Sequence, residues 1–123
     1  MKAAIIIFSD PHGGEEALGR AFNALAAAYD FRQHGTEVAV YFQGAGTRWA
    51  GMVSQKDHAL HALYTAVSDT IAGVSCGCAD VFGARAAAEK NGFELITDNR
   101  VPGTSGLPSI AQLSTQGYTI FTF

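Results

Sequence analysis

The amino-acid sequence predicts a three-layer α/β/α fold around a mainly parallel five-stranded sheet. Three observations lead there. Five short runs rich in β-branched and aromatic residues are separated by segments of helical spacing, the alternation that builds right-handed βαβ crossovers. The first run, residues 3–8 (AAIIIF), is apolar throughout instead of alternating, as a strand buried on both faces must be. The chain of 123 residues is long enough for one domain with its own core and short for two, so residues 1–123 are expected to form a single domain.

The elements follow in order. After the first strand, Ser9, Asp10 and Pro11 turn the chain into a loop. Across 14–32, Leu18, Phe22, Leu25 and Tyr29 recur at spacings of four, three and four, one apolar stripe on a long helix that Gly35 ends. Residues 37–42 (EVAVYF) are the second strand, and a glycine-rich loop over 43–51 carries Arg48 and Trp49. Ser54, with Asp57 three residues on, resembles a capping box and starts a second helix with Leu60, Leu63 and Val67 inward. Residues 70–75 (TIAGVS) form the third strand, and 79–91 read as a third helix stopped by Gly92. A short fourth strand over 93–97 leads to a loop over 98–107. Pro108 suits the first turn of a last short helix that ends near Gly117, and 118–123 (YTIFTF) close the sheet.

Composition limits the partners. Apolar residues make up 48% of the chain and charged residues only 15%, against about 25% charged in an average globular domain. Some of that apolar surface is expected to be covered by another subunit. A formal net charge of −3 and a pI near 5.7 supply no basic field for a phosphate backbone, which argues against nucleic acid. The six-residue run at the start is too short for a signal peptide or a membrane span, so a cytoplasmic protein with no membrane contact is expected.

In an open α/β sheet, ligands bind beyond the carboxyl ends of the strands. Here the loops at 9–14, 43–51 and 75–79 share that edge. Cys76 follows the third strand and Cys78 lies where the next helix begins, where unpaired amides and the helix dipole favour a thiolate. That points to reactive sulfur chemistry, one thiol as carrier and the other as a possible resolving thiol. The plainer alternative is a pair of small buried hydrophobes. A redox-active dithiol is a third reading, although a bridge within Cys-Gly-Cys closes a strained ring.

A metal site would need His12, His58, His61 or Asp80 to complete the ligand set, and neither metal nor other cofactor is expected. His12 can stabilise a thiolate or donate a proton. Arg48 and Trp49 can clamp a small ligand or pack against a neighbouring subunit, as Trp and Arg at interfaces do. The loop Asp10-Pro-His-Gly-Gly lacks the P-loop and dinucleotide-binding spacings, and Glu15 and Glu16 behind it suit the helix dipole better than a phosphate.

The βαβ layout over the whole chain, a cysteine directly after the third strand and the small-residue segment Cys76-Gly-Cys-Ala-Asp-Val-Phe-Gly resemble the DsrE/DsrF-like family. This is the YchN-like fold, which includes sulfur-relay proteins of the TusD kind. The resemblance implies a small homo-oligomer, a dimer, trimer or hexamer, that accepts a persulfide sulfur from a donor protein and passes it to an acceptor, a carrier more than a turnover enzyme. Relay members present one working cysteine and some relatives have Cys-x-x-Cys, whereas this chain has Cys-x-Cys. Cys76 matches by its place at the strand end and Cys78 by its spacing to the helix. The competing expectation, from a different class, is a non-catalytic ligand-binding or assembly module with buried structural cysteines.

Overall fold

The computed structural model describes Met1–Phe123. The strands β1 (Lys2–Ile7), β2 (Glu37–Phe42), β3 (Ile71–Ser75), β4 (Leu95–Ile96) and β5 (Tyr118–Thr122) form one sheet in the order β4-β3-β2-β1-β5. Every pairing is parallel. The helices are α1 (Gly14–Gln33), α2 (Trp49–Val53), α3 (His61–Ala66), α4 (Cys76–Val81), α5 (Arg85–Lys90) and α6 (Ile110–Thr115). From β1 to β4 the chain steps the same way across the sheet, and its last connection returns past β1. Right-handed crossovers therefore place α1 to α5 on one face and α6 on the other.

Ala3 through Ile7 are fully shielded, which explains why β1 reads as an unbroken apolar run. Ile5, Ile7, Val40, Phe42 and Val74 point to the α1–α5 face and meet Ala21, Ala24, Leu25 and Ala28 of α1. Burying each of the larger side chains contributes about 1.5–3 kcal/mol.

Three helical expectations are corrected. The buried face of α1 is Ala17, Ala21, Ala24, Leu25 and Ala28, while Phe22 and Tyr29 are 45% and 43% exposed. Alanines let the helix lie close against a strand surface already filled by isoleucine and phenylalanine, and a ring would hold it off. Ser54 starts no helix. It closes α2, its hydroxyl donating back to the Ala50 carbonyl at 2.7 Å, so it has no free oxygen turned toward a following amide. The single helix over 79–91 is two. Gly83, at φ +68, ends α4, and the Ala84 amide donates to Ala79 O at 2.8 Å, the hydrogen bond of a Schellman stop.

Candidate functional site

The carboxyl edges of β1, β2 and β3 carry, respectively, a 3-10 turn at Pro11–Gly13, a 3-10 turn at Gly44–Arg48, and α4. Glycine at position 46 brings the first two segments together, since a Cβ there would lie 2.1 Å from the Ile7 carbonyl oxygen. Arg48 then reaches across the crevice. Its Nη1 lies 3.2 Å from both oxygens of Asp10, and its Nε donates to the Phe82 carbonyl at 3.2 Å. The Asp10 carboxyl is held below the ordinary carboxylate range, first by the His12 backbone amide, against partial desolvation, and then by Arg48.

The sequence-predicted ligand residues separate here. His12 is exposed, its ring 3.9 Å from Asp10, so His12 and Arg48 flank one carboxylate. Trp49 is only 1% exposed, with its indole N–H donating to Ser9 O at 2.8 Å. Position 49 is therefore a core residue, and its ring offers no face to a ligand or a neighbouring subunit. The register that pairs Phe42 with Val74 sets Gln43 beside Ser75. The Gln43 Oε1 is buried without a hydrogen-bond partner.

Both cysteines stand in the first turn of α4, not in a loop before it. Ser75 caps that turn, its hydroxyl accepting the Cys78 N–H at 3.4 Å, and the Gly77 N–H donates to Gly106 O at 2.7 Å. With six residues and two of its leading amides engaged, α4 does not present the open, anion-favouring terminus expected from the sequence. Residues two apart on a helix leave it on opposite sides. A Cys76–Cys78 disulfide would therefore require this turn to unwind, which removes the geometric basis for a resolving pair.

Cys76 is 2% exposed. One turn on, Asp80 accepts hydrogen bonds from Ser105 Oγ at 2.6 Å and Arg85 Nη1 at 3.1 Å. Ser105 first and Arg85 second hold the Asp80 carboxyl below its ordinary range. The Arg85 guanidinium is pushed up by its hydrogen bonds to Glu89 and then to Asp80. Residues 99–107 form a flap over this side, pinned by the reciprocal Asn99–Leu107 hydrogen bonds at 2.7 and 2.9 Å. A shallow cavity of about 420 Å³ lined by Gly77, Asp80, Val81, Gly103, Thr104 and Ser105 opens beside it.

Cys78 is half-buried and shares its helix face with Phe82, four residues on. The Arg48 guanidinium lies 5.4 Å from the centre of the Phe82 ring. The two thiols thus differ in exposure and in helix face: Cys76 is buried on the side of Asp80, four residues on, and Cys78 half-buried on the side of Phe82 and the Arg48 crevice. Arg85 and Ser105 were not singled out from the sequence as parts of a site, and Asp80 was named only as a candidate metal ligand. Asp80, at helical spacing from Cys76, was legible in principle, whereas nothing local tells that Ser105 folds back on it.

No three His, Cys, Asp or Glu side chains gather into a group that could hold a metal ion. His61 is turned to the Val53 carbonyl at 2.7 Å, and His58 Nδ1 accepts the Leu60 N–H at 3.1 Å. No helix is long and apolar enough to cross a membrane. No curated protein and no solved structure matches the chain. The model of the DsrE/DsrF-like family matches residues 1–123, the whole of the chain.

Proposed function

The chain belongs to the DsrE/DsrF-like family, and from that membership we propose that it is a single-domain, homo-oligomeric sulfur carrier in a reducing compartment, with Cys78 as the residue that accepts and passes on a persulfide sulfur. The observation that carries the choice of residue is burial: Cys78 is half-buried, whereas Cys76 is buried. Sulfur transfer requires a thiolate that a donor can reach.

In the forward step the Cys78 thiolate attacks the outer sulfur of a donor persulfide. The Cys78 S–S bond forms, the donor S–S bond breaks, and the donor thiolate leaves with the electron pair. An acceptor thiolate then attacks the outer sulfur on Cys78 and releases the Cys78 thiolate. Neither step needs an oxidant or reductant. Arg48, whose Nη2 makes no hydrogen bond within the chain, supplies positive charge along the Cys78–Phe82 face for the anionic sulfur. Cys76 is structural in this reading, a small buried residue in the first turn of α4.

The burial of Cys76 equally suits the assembly module with inert cysteines, and native-state alkylation separates the two. With a small iodoacetamide probe and peptide mapping, Cys78 is expected to label readily and Cys76 slowly. A protein in which neither thiol labels before unfolding is an assembly module and not a carrier.

A further inference from the structure

The aromatic residues that α1 turns outward stand in a pattern. Phe22 and Tyr29 are seven residues apart, and so are Gly19 and Ala26 beside them. At about 100° per residue, Glu15, Gly19, Phe22, Ala26, Tyr29 and Gln33 fall within about 80° of arc. Their spacings alternate between four and three, as along a coiled-coil seam.

Gly19 has no reason within its own chain. Its backbone is helical, and a Cβ there would meet nothing within 4 Å, so alanine would fit and would favour the helix. Beside it lies an open groove of about 500 Å³ lined by Glu15, Leu18, Gly19, Phe22, Ala59 and Leu60.

We propose that this strip pairs antiparallel with α1 of a second copy of the chain, about a two-fold axis crossing the helix near residue 24. The inference rests on the homo-oligomer part of the proposed function and names its surface. In that register Phe22 packs against Ala26 of the second copy, Tyr29 against its Gly19, and Glu15 lies opposite its Gln33. Each aromatic ring meets a small residue, so the helices can approach to the short end of the usual 8–10 Å range. The Tyr29 ring enters the groove at Gly19, and Glu15 on its rim can accept the phenolic O–H. A parallel pair would instead set Gly19 on Gly19 and Phe22 on Phe22, leaving voids in one layer and a clash in the next. The surface carries both knobs and notches at matched spacing, so its complement is itself, and the two-fold closes at a dimer.

The test is sedimentation equilibrium on the full chain over a range of concentrations. Tyr29→Ala is expected to weaken self-association roughly thirtyfold or more, as loss of a central aromatic anchor does. Gly19→Leu is expected to abolish the α1 contact while leaving the melting of the isolated monomer unchanged or higher. With Cys76 and Cys78 replaced by serine, Gly19→Cys together with Tyr29→Cys should close intermolecular disulfides, whereas Tyr29→Cys alone should not. A wild type that stays monomeric overturns both the oligomer and this surface. An oligomer indifferent to Tyr29→Ala and Gly19→Leu, or one in which the double cysteine variant fails to crosslink, keeps the homo-oligomer and overturns the α1 pairing.

Discussion

Gly46→Ala tests how the crevice is assembled. The new Cβ would lie 2.1 Å from Ile7 O and 2.9 Å from Ile7 C. Both are backbone atoms, so no side chain can swing aside, and the two segments must part by about 1 Å to reach contact distance. The Ile7 carbonyl cannot retreat freely, because it accepts the Gln43 N–H at 3.0 Å. Parting the segments also stretches the Trp49–Ser9 hydrogen bond of 2.8 Å and loosens a fully packed indole. Each neutral hydrogen bond is worth about 1 kcal/mol and the packing strain about 1–3 kcal/mol, so the substitution should cost roughly 3–5 kcal/mol. In a chain of this length the melting temperature should fall by more than about 10 °C. Urea unfolding followed by circular dichroism, with the thermal melt beside it, measures both. A variant within about 0.5 kcal/mol of wild type, the range of an ordinary surface change, would refute the close approach and the crevice built on it.

Four other outcomes are expected. Gly77→Ala sets a Cβ 3.1 Å from Gly106 O, 3.1 Å from Leu107 Cδ1 and 3.2 Å from Thr104 Cβ, so the flap should lift by a few tenths of an ångström. In a Cys78→Ser background Cys76 should then alkylate several-fold faster at a stability cost of about 1 kcal/mol, and an unchanged rate would show that the flap does not guard it. Because the folded Asp80 carboxyl is held below its ordinary range by Ser105 and Arg85, its hold on the flap is complete above that range and is lost as pH falls through the depressed value. Acid should therefore speed Cys76 labelling by a disulfide reagent that stays active at low pH, and Ser105→Ala should flatten that dependence; an identical profile in the variant would contradict the latch. Tyr118 donates to Glu37 at 2.7 Å, and its phenol is pushed up to about 12, first by that hydrogen bond. Its contribution is fully present below the ordinary tyrosine range of about 10 and is lost as pH rises through the folded value; ultraviolet titration should show Tyr118 late, beside Tyr41 and Tyr64, which burial also pushes up, and Glu37→Gln should move Tyr118 alone back toward the ordinary range. Mild oxidant should leave intact mass without the loss of two hydrogens, since Cys76 and Cys78 face apart, and a ready intramolecular bridge would disprove that geometry.

The strands were legible because each is a compact apolar run whose neighbours change pattern, and β1 announced its double burial by not alternating. Gly35 and Gly92 were legible as stops for the same local reason. The α1 stripe misled because hydrophobic periodicity weighs side chains by apolarity, whereas packing against a filled sheet selects by room, and the alanines win the inner face. Arg48 and Trp49 are adjacent and looked alike as binding residues, yet one bridges the crevice and the other is sealed beneath it. Only the path of the 3-10 turn at Gly44–Arg48 decides between them. The contrast between the thiols was least visible. It depends on Ser75 capping α4 so that the helix starts at Cys76, three residues earlier than the spacing suggested, and on Ser105 returning across 25 positions to Asp80, a non-local contact with no trace in spacing.

The most direct test of the Cys78 assignment is intact-mass spectrometry of the native protein after exposure to a sulfane-sulfur donor, on wild type, Cys76→Ser and Cys78→Ser, before and after reductant. A persulfide on Cys78 predicts a reductant-labile gain of one sulfur in wild type and Cys76→Ser, and none in Cys78→Ser. A gain that disappears only with Cys76→Ser, or no gain in any of the three, would contradict it.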